Sequence, residues 1–598
     1  MLKPSSDRLD YSILLAPPAG YQTVYAVGTT YSMDLDALIG ACISLGLSES
    51  IDSELRDNPI FLLEALKRTT DKVAIFCESG QIQVPYNAKE LHILVENMVS
   101  EIALKNKKSF HPKFWLVKYE NEIGEDLFRC IVLSRNLTFD RSWDIALCIE
   151  GTTKIDGRYK YGYEKSRPVS AFVESLLKLS KKDMLSSKKR KIVQKAAKDI
   201  LNVKFNVNAL GYSDFDFFPI GIEDYSADQM GLFTNYHELF VMTPFLSDKT
   251  IKRLNGAALK NQTKNILITR KSEIGKLNID SVSNFDVYVM KDIVVDGEDA
   301  ISDVDFGTEH IENQKQDIHA KLFLKTKYSD SELFMGSFNA SENACNGNIE
   351  FMFRLAGKRR ILNIDQLKKD IFGEDDKENP FENIEVSKDF RDTGDGLQEQ
   401  LQKTIKAVCQ LKSHAVAEEV DGKYAVQVTF EKLVKQENVE FYPIFSPIKK
   451  RPLSTTMIFE EIPLIHLSEF YVLSAYADDM VVKRLIKIPT ENIPVDRDQM
   501  IYRNIIKDKN GFLQYLAFIL GDDYLLSTIE QSKTASEESK LIRGLQSPAM
   551  YERMLKTAAH NPSKLLEIKK MMEMLPDGDI VPDSFKELFE VFEEVIKP

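Results

Sequence analysis

Residues 111–117 read His-Pro-Lys-Phe-Trp-Leu-Val, and residues 319–324 read His-Ala-Lys-Leu-Phe-Leu. Both stretches are followed by a further apolar run, a Ser-x-Asn step and an acidic residue, so the same polar residue types recur in the same order. The first copy consists of His111, Lys113, Ser134, Asn136 and Asp144, and the second of His319, Lys321, Ser337, Asn339 and Glu350. Repetition of a pattern within one chain predicts a fold built from two similar halves.

The spacing of these residues predicts how they are arranged in space. A His-x-Lys step at the head of an apolar run is typical of a buried β-strand, in which residues two apart project from the same face. A hairpin-like pairing with the next strand would bring the asparagine of each copy back beside the lysine. If the two halves pack about a pseudo-twofold axis, two imidazoles, two ammonium groups and two carboxamides meet in one pocket.

Such a pocket suits the chemistry of a phosphodiester. Lysine and asparagine side chains can donate hydrogen bonds to the non-bridging oxygens and stabilise the charge of a five-coordinate transition state. One imidazole can attack phosphorus, and the other can protonate the leaving oxygen and later activate water. Asp144 and Glu350 are candidates to accept the second ring proton and fix each tautomer, with Ser134 and Ser337 in support. Because the lysines supply positive charge, we expect neither a metal ion nor another cofactor.

The two His-x-Lys motifs with their trailing asparagines resemble the phospholipase D superfamily, whose members carry two such motifs in one pseudo-dimeric site. The lipase form of the motif has an aspartate five residues after the lysine, where this chain has Lys118 and Thr326. The sequence is therefore more similar to the tyrosyl-DNA phosphodiesterase branch and to metal-independent nucleases of the superfamily. The resemblance covers residues 10–370 and implies that His111 is the nucleophile and His319 the general acid.

Predicted strands alternate with predicted helices along the chain, which indicates the α/β fold class. Together with the resemblance, this predicts two phospholipase D-like α/β/α sandwich halves that form a pseudo-dimer. The expected divisions are 1–205 for the first half, 206–373 for the second half, 374–400 for an acidic linker and 401–598 for a C-terminal α+β accessory domain. The sequence also predicts a strand at Tyr11–Leu15 and a helix over residues 88–103.

The chain carries a net charge of −13, so contact with an anionic polymer would have to come from local clusters of basic residues. One cluster directly precedes His111, and another lies in a predicted helix. The candidate nucleic-acid-binding residues are Lys105, Lys107 and Lys108 in the first cluster and Lys188, Lys189, Arg190 and Lys191 in the second. An acidic stretch, residues 292–317, could cover the basic pocket when the enzyme is idle, although a simple surface loop explains the same composition.

Composition is typical of a soluble globular protein. Hydrophobic residues make up 43% and charged residues 28% of the chain. No apolar run approaches the roughly 20 residues that a membrane-spanning helix needs. The first residues lack the apolar core of a secretory signal, and the six cysteines have no metal-binding spacing. We therefore expect a reduced cytoplasmic protein that contacts no membrane.

The sequence favours a metal-independent phosphodiesterase acting on nucleic acid, with DNA preferred over RNA, and above all a DNA endonuclease that works through a phosphohistidine intermediate. Analogy suggests a bacterial defence or restriction system. Three alternatives remain open: a tyrosyl-DNA-type end-processing enzyme, a phospholipase or phosphatidyltransferase, and an inactive nucleic-acid-binding scaffold. The C-terminal domain would suit a protein partner or self-association.

Overall fold

The computed structural model describes residues 11–46, 58–106, 108–140, 142–153, 160–207, 211–259, 265–291, 317–374, 379–386, 396–433, 438–520, 548–560, 562–575 and 580–596. The architecture is mixed α/β, which confirms the predicted fold class. Lys107 and the acidic stretch up to residue 316 lie outside the described residues. The covering role suggested for that stretch therefore stays a prediction.

The strands fall into three groups along the chain. The first half contains β1 (Tyr21–Thr30), β2 (Val73–Glu78), β3 (Val99–Ile102), β4 (Phe114–Asn121), β5 (Asp126–Leu133), β6 (Ser142–Trp143), β7 (Ala146–Thr152) and β8 (Lys204–Phe205). The second half contains β9 (Asp214–Ile220), β10 (Glu238–Met242), β11 (Asn265–Ile268), β12 (Phe285–Met290), β13 (Asp317–Ile318), β14 (Leu322–Lys327), β15 (Asp330–Gly336), β16 (Glu350–Lys358) and β17 (Phe381–Asn383). The C-terminal region contains β18 (Ser413–Val420), β19 (Lys423–Phe430), β20 (Val439–Pro443), β21 (Arg451–Pro452), β22 (Thr456–Ile462), β23 (Phe470–Ala477), β24 (Met480–Lys487) and β25 (Thr490–Glu491).

The α-helices are distributed over all three regions. Those of the first half are Tyr11–Leu15, Leu35–Gly46, Pro59–Thr69, Leu91–Leu94, Lys160–Leu179 and Ser187–Asp199. Those of the second half are Asp248–Gly256, Glu342–Asn346 and Ile364–Phe372. The C-terminal region contributes Gly396–Cys409, Arg497–Ile506, Lys509–Leu520, Pro548–His560, Pro562–Met574 and Asp583–Ile596. No helix in the described part of the chain is long and apolar enough to cross a membrane.

Each half is built on one sheet, and the two sheets have the same design. The strand order is β3-β2-β1-β4-β5-β7-β8 in the first half and β17-β12-β11-β10-β14-β15-β16-β9 in the second. In both sheets a central strand, β1 or β10, pairs with a parallel strand on one side and an antiparallel strand on the other. Every residue of β2 is buried, as expected for an apolar strand inside a sheet that is covered on both faces.

A single hydrophobic core joins the two halves. The ring centroid of Phe114 in β4 lies 4.4 Å from that of Phe351 in β16. Phe172, from helix Lys160–Leu179, packs against the same Phe351 ring at 4.8 Å. Because aromatic residues of both sheets and of a connecting helix share this core, the two halves are fixed relative to each other.

The C-terminal region shares a second core with the first half, in which Phe470 and Leu485 pack with Leu38 and Leu63. The polar centre of this contact is Glu96, which is 1% exposed. Its side chain accepts a hydrogen bond from Ser468 Oγ and forms an ion pair with Arg497 Nη1 at 3.0 Å. Lys487 Nζ donates to the Glu96 carbonyl oxygen at 2.7 Å. A buried charge held by partners from another region ties the two regions together.

Two sequence-based predictions of local structure are wrong. Tyr11–Leu15 is a helix rather than a strand, and it docks on β4, where Tyr119 donates its hydroxyl to the Leu15 carbonyl at 2.9 Å. So short an apolar run carries no periodicity that separates the two structures. Residues 88–103 do not form one helix. The stretch breaks into a helical turn at Leu91–Leu94, a 3₁₀ turn and then β3, which pairs in parallel with β2.

The segment expected to be a linker contains one strand of the second sheet. β17 pairs antiparallel with β12, with Phe381 opposite Met290. Phe381 is buried and its ring lies 5.5 Å from that of Trp143 in the first half. The second sheet therefore extends past residue 373, and the following helix, Gly396–Cys409, begins within the expected linker.

Burial raises the pKa of Glu96 to about 7, against the effect of Arg497. Replacing Arg497 by methionine should destabilise the protein by about 3 kcal/mol, because Glu96 then stays buried without its ion-pair partner or has to take up a proton. The free energy of unfolding, measured by urea titration, tests this. The matched control is Lys412→Met, which breaks a surface pair with Glu431 at 3.8 Å where Lys412 is 83% exposed. Exposed pairs contribute about 0–1 kcal/mol, so a similar loss in both variants would contradict the account.

Candidate active site

Strand pairing places the polar residues of each copy together. In the first half, β4 and β5 are antiparallel, and Leu133 N donates to the Lys113 carbonyl at 3.0 Å. In the second half, β14 and β15 pair in the same way, with Gly336 N and the Lys321 carbonyl 3.4 Å apart. Each serine of the Ser-x-Asn step therefore follows directly on the end of the strand that pairs beside the lysine.

The two copies meet through exchanged backbone contacts. His111 N donates to the Ile349 carbonyl at 2.9 Å, and His319 N donates to the Trp143 carbonyl at 2.9 Å. Ile349 directly precedes the acid of the second copy, and Trp143 directly precedes the acid of the first. The backbone thus places each histidine beside the acid of the opposite half, in a pseudo-twofold arrangement.

The side chains follow the same exchange. His111 Nδ1 lies 2.9 Å from Glu350 Oε2, and His319 Nδ1 lies 3.0 Å from Asp144 Oδ1. Because Nδ1 of each ring faces a carboxylate, Nδ1 carries the proton and Nε2 keeps its lone pair. Among the described residues, neither Nε2 has a hydrogen-bond partner. Each ring is 12% exposed, so both reactive nitrogens remain available in the cleft.

Hydroxyl groups fix the two carboxylates in equivalent ways. Ser134 Oγ donates to Asp144 Oδ1 at 2.7 Å, and Ser337 Oγ donates to Glu350 Oε2 at 2.5 Å. Each serine oxygen also accepts a backbone N–H from the residue after the acid, at 2.9 Å in both halves. Ser142 Oγ donates to the other oxygen of Asp144 at 2.7 Å, and Asn348 Nδ2 donates to the other oxygen of Glu350 at 3.0 Å. Ser142 and Asn348 were not predicted from the sequence.

Lys113 and Lys321 are buried, at 1% and 0% exposure. Lys113 Nζ donates to the His111 carbonyl at 2.9 Å, and Lys321 Nζ donates to the His319 carbonyl at 2.5 Å. Within the described residues, neither ammonium group forms an ion pair within 4.0 Å. Two buried amines without an anion of their own form a site for an anionic ligand, which would favour their protonated forms.

The two asparagines complete the polar lining. Asn136 Oδ1 accepts a hydrogen bond from Ser32 N at 3.4 Å, which turns its amide nitrogen away from that backbone. Asn339 is 6% exposed, and its buried Oδ1 has no partner in the described part of the chain. Among those residues, neither carboxamide nitrogen donates a hydrogen bond, so both are free to donate to a ligand.

Burial keeps both imidazoles neutral in the free protein. Desolvation lowers the pKa of His111 to about 4, with Lys113 and Lys321 acting in the same direction against Glu350. Desolvation and Lys321 lower the pKa of His319 to about 3, against the hydrogen bond to Asp144. The charges of both lysines lower the pKa of each imidazole, so the two copies share one electrostatic environment.

The pKa values of the acids and of Lys321 are lowered, as expected for a buried site that binds an anion. Burial would raise the pKa of Asp144, but the hydrogen bonds from His319 and the two serines outweigh it and lower that pKa to about 2. Glu350 is likewise held ionised, since His111, Lys113 and Ser337 overcome its burial and lower its pKa. Burial lowers the pKa of Lys321 to about 7. An anion in the pocket would raise the pKa values of the lysines and imidazoles again.

Further residues reach the site from the carboxyl ends of the parallel strands, where polar groups of such sheets converge. Tyr31 follows β1, and its ring lies 5.0 Å from that of His111 and 5.5 Å from Lys113 Nζ. Arg270 follows β11. Its Nε donates to the Ile318 carbonyl at 3.0 Å, and its guanidinium group lies 4.8 Å from the exposed ring of Phe245. Their position at the carboxyl end of a parallel strand was the available signal.

The two halves differ in charge just before each histidine. Phe110 N donates to Glu78 Oε2 at 2.7 Å, and Glu78 is fully buried. In the second half, the corresponding contact to Ile318 comes from Arg270. Each of these groups has an ion-pair partner, Lys406 for Glu78 at 2.6 Å and Asp317 for Arg270 at 3.0 Å. The two halves therefore differ in which charged group fixes the residue before each histidine, although the histidines themselves are held alike.

The second basic cluster does not lie at this site. Lys189 is 2% exposed, and its Nζ donates to the carbonyls of Thr70 and Val73. Its prediction as a nucleic-acid-binding residue is wrong, because its charge is used inside the first half. Lys188 is exposed and pairs with Asp71 at 2.5 Å, at the opposite end of β2 from Glu78. Six strand residues separate these ends, about 20 Å. Lys188, Arg190 and Lys191 thus stay candidates only for a remote surface.

The first basic cluster does lie beside the site. Lys105 and Lys108 are exposed on the segment that leads into His111. The same segment is held by the C-terminal region, because Lys406 Nζ donates to Ser109 Oγ at 2.9 Å and pairs with Glu78 at 2.6 Å.

Within the described ranges, no group of three or more His, Cys, Asp or Glu side chains is placed to hold a metal ion.

Comparison with known proteins gives only distant likenesses. No protein-family model matches the sequence, and no curated protein matches it. A crystal structure of yeast tyrosyl-DNA phosphodiesterase aligns with a TM-score of 0.33 and 13% identity, covering 57% of this chain and 84% of that one. The polyphosphate kinase of Porphyromonas gingivalis aligns with a TM-score of 0.32 and 12% identity, covering 67% of this chain and 51% of that one. Likeness at this level carries no argument about function, which rests on the site itself.

The depressed imidazole pKa values predict how stability depends on pH. Between the unfolded value of about 6.5 and the folded values near 4 and 3, the unfolded chain binds protons that the folded chain does not. The free energy of unfolding therefore falls as the pH decreases from 7.5 to 5, by up to about 1.4 kcal/mol per pH unit for each imidazole.

The double variant His111→Gln/His319→Gln lacks these two contributions, so its urea midpoint should change less between pH 7.5 and 5 than that of the wild type. Replacing His414, an exposed residue of β18, by glutamine is the control and should leave the wild-type slope unchanged. Parallel pH profiles for the double variant and the wild type would show that the imidazoles are not held neutral.

Proposed function

We propose that the protein is a metal-independent phosphodiesterase of the phospholipase D type that acts on nucleic acid, as a DNA endonuclease. The observation that carries this proposal is the pair of exchanged His–carboxylate hydrogen bonds beside two buried lysines that lack ion-pair partners. A phosphodiester supplies the single negative charge and the acceptor oxygens that such a pocket is missing.

In the first step, His111 Nε2 attacks phosphorus and the bond from phosphorus to the leaving oxygen breaks. The leaving oxygen takes a proton from His319 Nε2. His319 is neutral in the empty site, and the charge of the bound phosphodiester raises its pKa so that it can carry this proton. Lys113, Lys321 and the two asparagine amides donate to the non-bridging oxygens. Glu350 accepts the hydrogen bond from His111 Nδ1–H, which keeps its proton, and stabilises the cation that develops on the ring.

In the second step, a water molecule attacks the phosphorus of the phosphohistidine. Neutral His319 takes one proton from that water, and the phosphorus–nitrogen bond breaks with its electron pair returning to His111. The product is a phosphate monoester, and both rings regain their starting states. The two imidazoles are held alike, so the choice of His111 as nucleophile rests on the family resemblance.

The surroundings of the pocket favour a polymeric anion over a lipid. Lys105 and Lys108 add exposed positive charge on the segment that leads into His111, which suits a chain of phosphates. The absence of the aspartate five residues after each lysine also separates the sequence from the lipase form. End processing of tyrosyl-DNA would use the same two steps. Turnover of a phosphotyrosyl oligonucleotide without cleavage of internal bonds would identify that alternative.

Cleavage of single-stranded or plasmid DNA should proceed in the presence of EDTA, since the protein's own amines carry the charge that a metal would supply. His111→Ala should reduce the rate at least about a thousandfold, the effect of removing a nucleophile. Gel-based cleavage assays measure both, with His414→Ala as the control. Cleavage that stops in EDTA, or that survives in the His111 variant, would contradict the mechanism.

The covalent step predicts a trapped intermediate in His319→Ala. With bis(p-nitrophenyl) phosphate the leaving group needs no proton, so this variant should release about one equivalent of p-nitrophenolate and then stop, because no base activates water. Intact-mass spectrometry should find an acid-labile adduct, mapped to His111. Mapping of the adduct to His319 in His111→Ala, with none in His319→Ala, would reverse the roles assigned to the two residues.

A further inference from the structure

The C-terminal region approaches the catalytic cleft through β24. Leu485 N, in the middle of this strand, donates to the Ile82 carbonyl at 2.8 Å. The residues on either side of Ile82 are bonded to the loop after β1, since Met33 N donates to the Gln81 carbonyl at 3.1 Å and Gln83 N donates to the Met33 carbonyl at 2.8 Å. Arg484, next to Leu485, is thereby brought against the loop that carries Tyr31 and Asp34.

Both of these neighbours are linked to the catalytic residues. The Tyr31 ring lies 5.0 Å from the ring of His111. Asp34 N donates to the carbonyl of Leu137 at 2.9 Å, and Leu137 directly follows Asn136. The charge of Arg484 acts on both side chains, opposing the effect of burial on the pKa of each. Arg484 therefore lies on the His111 side of the cleft, with Tyr31 connecting the two.

Arg484 is half-buried and has fewer partners than Arg129, Arg354 and Arg497. Its Nη1 donates to the Lys483 carbonyl at 2.8 Å on the exposed side, whereas its buried Nε has no hydrogen-bond partner among the described residues. No ion pair of Arg484 lies within 4.0 Å in that part of the chain. Arg129, Arg354 and Arg497, by contrast, each contact a carboxylate at 3.0 Å or closer.

The guanidinium group of Arg484 lacks an ion-pair partner, as do Lys113 and Lys321 in the same cleft. Burying such a group costs stability unless a ligand supplies negative charge and hydrogen-bond acceptors. Its planar fork of donors matches the oxygens of a phosphate group. We propose that Arg484 binds a phosphate of the DNA strand next to the scissile one, so that the C-terminal region contributes a residue to the substrate cleft. This inference rests on the proposed function, because it needs a polynucleotide in the cleft.

The test uses the full-length chain carrying His111→Ala, which prevents turnover, and a fluorescent single-stranded DNA oligonucleotide. Binding is measured by anisotropy over a series of salt concentrations. Adding Arg484→Gln should raise the Kd about five- to tenfold and reduce the slope of log K against log salt by about 0.7, the loss of one phosphate contact to a single strand. Arg484→Lys should keep the slope but not the full affinity, because a point charge replaces a bidentate donor.

Lys483→Gln is the matched control, since it removes the same charge from the adjacent, exposed residue of the same strand. It should change the Kd less than about twofold. Thermal unfolding gives a second readout. Arg484→Gln breaks no ion pair within 4.0 Å among the described residues, so its Tm should stay close to that of the parent, whereas a fall of several degrees would assign Arg484 a structural role and overturn the proposal.

The outcomes separate the two proposals. Equal Kd values and salt slopes for Arg484→Gln and Lys483→Gln, in a parent that binds DNA, would overturn the role of Arg484 and leave the proposed function standing. A parent protein that binds no DNA at low salt would overturn both. A lower affinity and slope confined to the Arg484 variant, at unchanged Tm, is the expected result.

Discussion

The exchanged hydrogen bonds between His111 and Glu350 and between His319 and Asp144 are the contacts on which the rest of this site depends. Neither half can orient its own imidazole, because the acid that accepts the Nδ1 proton comes from the other half. A buried carboxylate without such partners is costly, and so is a buried ring N–H without an acceptor. The shared core around Phe351 and the exchanged backbone contacts at Ile349 and Trp143 hold the halves where both pairs can form.

This arrangement also sets the charge of the empty cleft. Two ionised carboxylates are used by the imidazoles and serines, which leaves Lys113 and Lys321 buried and without ion pairs. Burial is the largest cause that lowers the pKa values of all four basic groups in the cleft, and the two lysines lower the pKa values of both imidazoles further. Burial and the lysines keep the imidazoles neutral in the free protein, against the carboxylates. An anionic ligand would offset the effect of the lysines, so that in the proposed mechanism one imidazole can carry a proton. Preorganisation of this kind costs stability and provides binding and catalysis.

The pocket could be predicted from the sequence because two copies of one motif specify strand geometry directly. Residues two apart on a strand must share a face, and the chain then has to return along the next strand. The exchange of the acids between halves could not be predicted, since each acid follows a serine within its own copy and nothing in the spacing shows which ring it faces. Tyr31 and Arg270 were missed because they come from strand ends outside the motifs.

The wrong assignment of Lys189 has a readable cause. On the helix Ser187–Asp199, the buried residues Val193, Ala196 and Ala197 continue backwards to position 189 at helical spacing, so one member of a run of basic residues had to face inwards. The run of basic residues was therefore weaker evidence for the exposure of Lys189 than the buried face of the helix, which includes position 189. Tyr11–Leu15 shows the opposite case, since five mostly apolar residues carry too little pattern and a tertiary contact with β4 decided their structure.

The central claim is that two imidazoles from different halves address one phosphorus atom, and a crystal structure with bound vanadate tests it most directly. The account predicts a single vanadate between the two rings, bonded to Nε2 of His111, with Nε2 of His319 within hydrogen-bonding distance of the opposite axial oxygen and both lysines on the equatorial oxygens. Vanadate bound away from the two rings, or rings that face separate cavities, would contradict it.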